Sequence, residues 1–321
     1  MALREFLVLL MVCTVWGLHF TVMRHAIGAQ GIDPLFYAAT RMSLVALVMA
    51  PFLRWHPGQM GKVVVAGLGF GAFNYLFMFP ALGMTTASAA AVAIELYMPM
   101  SVILGVVLLG ERIRAWSGLG IALAFAGVVV IGLSEPGGTV GPLFALGIAL
   151  IALAALSEAF GAIAVKKLPG LSPFQLVAWA GVMGSLVLWP ATLILEDNQL
   201  AALAPETRAG FLAALLYSAL LVSVVAHGSY YWLLGRLPLS VVAPVGLLNT
   251  VIGVAGGLLI LREAPTPALF TGMAVTLAGV ALIIWRSRVK ATQVSQARPI
   301  SVTQAGQEPT HDTDLQTSES D

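Results

Sequence analysis

A chain of 321 residues in which 59% are hydrophobic and only 10% are charged lies outside the range of soluble domains, where about 25% of residues carry a charge. Its net charge of +1 says little about partners, because in such a chain the placement of Lys and Arg matters more than their sum. The single cysteine, Cys13, excludes an intrachain disulfide and most cysteine metal sites. The composition therefore predicts a polytopic membrane protein.

Ten mostly apolar segments of roughly 18–24 residues are each long enough to cross a hydrocarbon core of about 30 Å. Backbone amides in hydrocarbon must be satisfied within their own segment, which favours helices, and no segment alternates like a barrel strand. No small-residue cleavage site follows the first apolar run, so it is read as an uncleaved helix. The predicted helices cover residues 5–24, 34–53, 62–82, 87–109, 115–133, 142–165, 173–194, 208–231, 240–261 and 267–285.

An internal repeat divides these helices into two sets of five. A shift of 152 positions aligns Pro80–Ile131 without a gap on the chain that ends at Ile283, and a repeat of this kind indicates a duplicated architecture. We expect a first repeat over residues 1–134, a second over residues 135–288 and a disordered cytoplasmic tail over residues 289–321, which is Gln-, Thr- and Ser-rich and lacks apolar periodicity. The matched pairs include Leu82 and Leu234, Gly83 and Gly235, Ser88 and Ser240, Ala91 and Ala243, Glu111 and Glu263, Gly120 and Gly272, and Gly127 and Gly279.

The positive charges predict the orientation of the chain. Of the 16 Lys and Arg residues, Arg41 lies within a span, 12 fall on the side of the N-terminus, and only Arg24, Arg208 and Arg262 fall on the other side. This bias places both termini in the cytoplasm. Because five is an odd number, the two repeats enter the membrane in opposite directions. An inverted repeat is typical of alternating-access transporters with a binding site near the midplane.

Ionisable residues within the spans are expensive and mark functional sites. Arg41 and Glu95 lie at similar depths in the second and fourth helices, and Glu95 aligns with Leu247 in the second repeat. One interpretation is a polar centre that binds a charged or zwitterionic substrate, with Glu95 able to titrate. The other is a buried ion pair that only fixes helix packing, and the sequence leaves both open.

Glu158 and His227 lie at one level in the sixth and eighth helices, where a carboxylate and an imidazole could form a proton-responsive pair. The alternative is a glutamate in a water-filled vestibule and a satisfied buried histidine. We predict Glu95, Glu158 and His227 as proton-coupling candidates. The predicted cavity residues are Trp16, His19, Arg41, Asn74, Tyr75, Glu95, Glu158, His227 and Asn249, although any neutral member could instead be interhelical glue.

Two further pairs of residues are read as structural. Glu111 and Glu263 precede the fifth and tenth helices, where the helix dipole favours negative charge, and we do not expect them to bind substrate. Pro99 and Pro244 predict bends in the fourth and ninth helices.

Several motifs resemble those of a known family. TrpGlyLeuHisPhe at 16–20, ThrArgMetSerLeuValAla at 40–46, GlyGluArgIle at 110–113 and the AlaGlyVal close of each repeat resemble the drug/metabolite transporter superfamily, and more closely its EamA-type exporters. The resemblance covers roughly residues 5–286. It implies a secondary transporter that often exports amino acids or related metabolites, with a cavity walled by helices one to four and six to nine. It assigns Trp16, Gly17 and Arg41 to the family's motifs.

We therefore predict a proton-coupled exporter of an amino acid or amino-acid derivative, working by alternating access in the inner membrane as a monomer or weak homodimer. We expect no enzyme activity, cofactor, metal or nucleic-acid partner. One alternative is an importer of a vitamin or nucleotide-like metabolite. An alternative of another class is an intramembrane enzyme acting on a lipid-linked substrate, which would need its polar residues clustered at one interface with a lateral opening to lipid.

Overall fold

A computed structural model describes residues 2–113, 115–134, 142–234, 236–237 and 245–296. Within these ranges the chain is helical and contains no strand, which confirms the predicted class. Eight helices are long and apolar enough to cross a membrane, and two more are apolar but shorter. In chain order the helices are α1 Leu3–Ala29, α2 Pro34–Val48, α3 Met60–Met84, α4 Ala87–Leu109, α5 Ala115–Gly132, α6 Phe144–Lys166, α7 Pro173–Leu195, α8 starting at Arg208 and ending with His227–Leu234, α9 Val245–Leu259 and α10 Pro267–Gln296.

Some bounds differ from those predicted. The second helix was expected to reach residue 53, but α2 stops at Val48 and a short 3₁₀ turn, Ala50–Phe52, follows it. Because Pro51 cannot donate a backbone hydrogen bond, the helix cannot continue there unchanged. The helix α10 continues to Gln296, past the predicted end of the second repeat at residue 288. Most of the predicted tail, together with Ser240, Ala243 and Pro244, lies outside the described residues.

The helix contacts follow a two-fold relation between the repeats. The helices α2 and α7, which occupy equivalent places in the two repeats, pack on each other, and so do α5 and α10. The helix α1 packs on α9 and α8, while its equivalent α6 packs on α4 and α3. Each of these contacts therefore has a counterpart with the repeats exchanged, as expected for an inverted repeat.

Glycines allow α5 and α10 to pack closely against each other. A Cβ atom on Gly120 would lie 2.8 Å from the carbonyl oxygen of Gly279, and one on Gly127 would lie 2.5 Å from that of Gly272. Gly120 aligns with Gly272 and Gly127 with Gly279, so the same pair of contacts occurs twice with the repeats exchanged. Small residues of this kind let membrane helices approach closely.

Irregular turns interrupt the helices that surround the centre. The π-helical segments Leu68–Phe73 of α3 and Tyr217–Ala226 of α8 overlap when the repeats are aligned. In α4 the 3₁₀ turn Ile94–Leu96 precedes a bend-forming residue, Pro99. Proline lacks an N–H, so residue 99 cannot donate to the carbonyl of Glu95 four positions earlier. The interruption therefore falls at Glu95.

Candidate functional site

A cavity of about 360 Å³ lies in the centre of the bundle. Side chains from both repeats line it, on α1, α2, α3, α4, α6, α8 and α9. Its position at the repeat interface is where transporters with inverted repeats bind their substrates. All nine residues predicted from the sequence belong to its wall: Trp16, His19, Arg41, Asn74, Tyr75, Glu95, Glu158, His227 and Asn249.

Arg41 supplies a positive charge to this wall while being only 1% exposed. Its Nε donates to the carbonyl of Ser218 at 3.2 Å, and its Nη2 donates to Ser223 Oγ at 3.2 Å. Its guanidinium lies 4.3 Å from the centre of the Tyr75 ring, a distance that gives a favourable cation–π contact. No carboxylate of the described residues forms an ion pair with Arg41, so the Arg41–Glu95 pair that the sequence left open is absent from this structure.

The interruption of the fourth helix presents Glu95 to the cavity. Its Oε1 accepts a hydrogen bond of 2.5 Å from Thr250 Oγ1 on α9. Thr250 also donates to the carbonyl of Gly246 at 3.2 Å, so the hydroxyl shares its proton between two acceptors. The Glu95 carboxylate thus joins the first repeat to the second through one donor among the described residues, whereas a carboxylate can accept about four hydrogen bonds.

Glu158 approaches the cavity from the second repeat in a similar way. Its Oε2 accepts a hydrogen bond of 3.3 Å from Asn74 Nδ2. The same amide donates to the carbonyl of Ala154 at 3.1 Å, which holds Asn74 against α6. Glu158 and Glu95 are both half-buried, in contrast to Arg41, so the cavity exposes these two carboxyl groups more than it exposes the guanidinium.

Aromatic side chains form the remaining part of the wall. The ring of Trp16 lies 4.9 Å from that of His227 in an edge-on arrangement and 5.2 Å from that of Tyr230. His227 Nδ1 lies 2.7 Å from the carbonyl oxygen of Val222, which makes a hydrogen bond when the proton is on Nδ1. Glu158 and His227 line the same cavity, and their action as a proton-responsive pair stays a prediction.

Four buried polar atoms of the wall have no hydrogen-bond partner among the described residues: Trp16 Nε1, His19 Nε2, Arg41 Nη1 and Asn249 Oδ1. Two of them are donors, Asn249 Oδ1 is an acceptor, and His19 Nε2 can be either. Unpaired polar groups are costly inside a protein. Their convergence on one cavity favours a polar ligand or water as the missing partner.

A second cavity, of about 390 Å³, shares seven residues with the first and continues towards one end of the bundle. Its other walls include Val45 near the end of α2, and Leu176 and Val177 near the start of α7. This is the end that the positive charges predict to be cytoplasmic. The central site is thus extended by open space towards that side.

Polar contributors that the sequence analysis missed include Tyr97, Thr250 and Tyr230. Tyr230 lies three positions after His227, and residues at this spacing share a helical face, so the pattern could have identified it. Tyr97 follows the interruption at Glu95 by two residues, and no periodicity places it. Thr250 is identified only by its contact with Glu95.

Comparisons with known proteins agree with the predicted family resemblance. The model of the EamA-like transporter family matches residues 3–133 and again residues 145–285. A protein of Escherichia coli (strain K12) named "Probable amino-acid metabolite efflux pump" is 30% identical over 305 residues, which cover 90% of this chain and 99% of that protein. A protein of the same name from Salmonella typhimurium is 30% identical, covering 91% of this chain and 98% of its own length.

A solved crystal structure shares the fold, with a TM-score of 0.55 at 19% identity, covering 92% of this chain and 99% of that one. The two family matches coincide with the two five-helix repeats. The predicted resemblance is confirmed, and the protein is a multi-pass membrane transporter and not an enzyme. This chain belongs to the EamA-like transporter family.

Proposed function

We propose that this transporter exports a small amino acid or amino-acid derivative across the inner membrane by alternating access, in exchange for protons, with both termini in the cytoplasm. One observation carries the proposal: the nine residues predicted for binding and coupling line a single cavity between the two repeats. The names of the Escherichia coli and Salmonella relatives support both the substrate class and the direction.

The charges of the cavity match the two charged groups of an amino acid. The carboxylate of the substrate is complementary to Arg41, whose Nη1 has no partner among the described residues. Its ammonium group is complementary to Glu95 and Glu158, each of which accepts one hydrogen bond from a side chain of the described residues. The rings of Trp16 and Tyr230 offer the cavity an aromatic surface that suits an apolar or aromatic substrate side chain.

Proton exchange follows from the same carboxylates. A negative charge within the membrane is costly unless it is paired or neutralised. Glu95 and Glu158 can therefore hold the ammonium group of the substrate in one half of the cycle and a proton in the other. A group that binds either of two ions, and returns across the membrane only when one of them is bound, couples their movements.

Inverted membrane vesicles test this proposal. An acidic lumen is expected to drive uptake of a radiolabelled amino acid, chosen by screening overexpressing cells for resistance to amino acids and their analogues. A protonophore should stop the uptake. Glu95→Gln and Glu158→Gln should remove the proton-driven component, whereas Glu206→Gln, at an exposed loop position, should not.

Uptake that is indifferent both to the pH gradient and to collapse of the membrane potential would refute proton coupling. Proton-driven uptake of a vitamin or a nucleotide-like metabolite into right-side-out vesicles, with no activity in inverted ones, would instead establish the importer alternative.

A further inference from the structure

Glu263 does not line the central cavity. It connects the two repeats at one end of the bundle. It precedes α10 and is only 8% exposed. Its Oε1 accepts the backbone N–H of Ala87 at 2.5 Å, and its Oε2 accepts the backbone N–H of Ser88 at 3.0 Å and the Ser88 hydroxyl at 2.5 Å. A carboxylate of the second repeat thus caps the first turn of α4, where free N–H groups and the helix dipole favour negative charge.

Glu196 makes a similar connection at the same end. It follows α7 and accepts the backbone N–H groups of Leu35 and Phe36, at 2.7 and 2.9 Å, at the start of α2. Thr192 donates its hydroxyl to the same carboxylate at 2.7 Å. Two helices of the first repeat therefore begin on carboxylates supplied by the second.

Buried side chains lie on the stretch between these caps and the cavity. Met23, Ile27, Tyr37, Phe79 and Leu82 are all buried there, on the stretch where α1 and α3 end and α2 begins. The rings of Tyr37 and Phe79 lie 5.2 Å apart. We call this side of the cavity the capped end.

The opposite end lacks an equivalent of these caps among the described residues. Glu111, the repeat counterpart of Glu263, is 49% exposed and pairs with Lys166 Nζ at 3.1 Å. An exposed pair of this kind contributes little stability. The second cavity extends towards this end, past Val45 and Leu176. We call it the uncapped end.

We propose that Glu263 is a gating residue: its hydrogen bonds to the start of α4 hold the capped end of the cavity closed, and they break when the cavity opens to that side. The inference rests on the alternating access proposed above. Glu263 does not line the central cavity, so it acts by positioning α4, which carries Glu95 further along the same helix. Its removal should shift the population towards the state that is open at the capped end.

The accessibility of single cysteines tests this role without a substrate. In a Cys13→Ala background, Met23→Cys reports on the cavity wall facing the capped end and Leu176→Cys reports on the uncapped end. A membrane-impermeant maleimide is applied to right-side-out and to inverted vesicles in separate reactions, so each end is probed alone. Glu263→Gln should raise the labelling of Met23→Cys from the capped end roughly tenfold, the factor expected from losing a hydrogen bond to a charged group.

The second probe separates gating from loss of structure. A shift between two folded states leaves the labelling of Leu176→Cys from the uncapped end unchanged or lower, whereas a loosened bundle raises both rates. Glu111→Gln is the matched control and should not raise the labelling of Met23→Cys. Ser88→Ala removes the hydroxyl, which donates to Glu263 and also to the Val254 carbonyl, and should raise the labelling a few-fold. This variant retains a test if Glu263→Gln does not fold.

The proposal is overturned if Glu263→Gln and Ser88→Ala leave the labelling of Met23→Cys within twofold of the parent, or if both probes become more reactive together. Failure of the proposed export would appear separately, as absent substrate uptake in a protein whose labelling still responds to Glu263→Gln.

Discussion

The ends of α4 and α9 are built alike, and the carboxylates that follow them are used differently. Gly110 and Arg262, which align in the repeat, both adopt a left-handed backbone with φ of 67° and 56°. The N–H of the next residue then donates to a glycine carbonyl six positions earlier, at 3.2 Å for Glu111 and 3.1 Å for Glu263. Yet Glu263 is buried over the start of α4, while Glu111 is half-exposed beside Lys166.

This comparison separates what a repeat specifies from what it does not. A left-handed residue and a backbone hydrogen bond across six positions end a helix locally, so the two ends are alike although the left-handed residue is Gly110 in one and Arg262 in the other. The partner of a side chain depends instead on how the two repeats sit against each other. One repeated motif can therefore be a buried cap at one end of the bundle and a solvated ion pair at the other.

The largest effect is expected where the two repeats differ within the cavity. Glu95→Leu would give the first repeat the residue that the second carries at position 247. We expect transport to fall on the order of 100-fold or more, because a charged contact to the substrate is lost. The bundle should stay folded, since the other contacts of α4 with neighbouring helices remain. Initial transport rates and size-exclusion profiles measure the two properties. Leu247→Met, at the counterpart position, should retain transport.

The next largest effect is expected at the contact between α5 and α10, to which both repeats contribute equivalent glycines. Gly127→Val would place side-chain atoms against the carbonyl of Gly272, which lies 2.5 Å from the position of a Cβ. Overpacking of this kind costs about 1–3 kcal/mol or more. Thermal unfolding in detergent should show the loss. Gly118 lies on the same helix with nothing within 4 Å of its Cβ position, so Gly118→Ala should not destabilise the protein.

A smaller effect is expected on the free energy of unfolding when Glu263 and its repeat counterpart Glu111 are each replaced. Glu263→Gln turns an acceptor of buried N–H groups into a partial donor and should lower the free energy of unfolding by about 1.5–3 kcal/mol. Glu111→Gln should change it by less than about 1 kcal/mol, since an exposed ion pair is weak. Unfolding in detergent mixtures at matched protein concentration compares them. Equal losses would mean that burial in this structure does not reflect the energetics of the two ends.

The smallest effect concerns the shared left-handed position. Arg262 is exposed and has a φ of 56°, which costs a side-chain-bearing residue about 1–2 kcal/mol. A glycine at this position would not carry that cost, but its greater conformational freedom in the unfolded chain offsets part of the stabilisation. Arg262→Gly should therefore stabilise the protein by about 0.5–1 kcal/mol, and Gly110→Ala at the equivalent position should destabilise it. The same unfolding assay detects both changes.

Much of the site could be predicted because its residues carry signals of their own. Arg41, Glu95 and Glu158 are ionisable groups within apolar spans, where such groups need a partner or a function, and they all line the cavity. The short α2 and the π-helical segments were missed, because hydropathy measures apolar length and does not report which hydrogen bonds a helix uses. Thr250 was missed because a lone threonine in a membrane helix has no distinctive pattern.

The sequence by itself determined three things. The apolar runs indicated ten helices, the repeat indicated two related halves, and the ionisable residues indicated which side chains converge between them. These features could be read along the chain because burial in lipid depends on local composition. Only the tertiary structure decided the partners: Ser218, Ser223 and Tyr75 for Arg41, Thr250 for Glu95, and the start of α4 for Glu263. Those choices depend on the rotation and depth of each helix relative to its neighbours. The rotation and depth of a helix are set by small differences in its packing against neighbouring helices. The hydrophobic pattern of a single helix does not specify them.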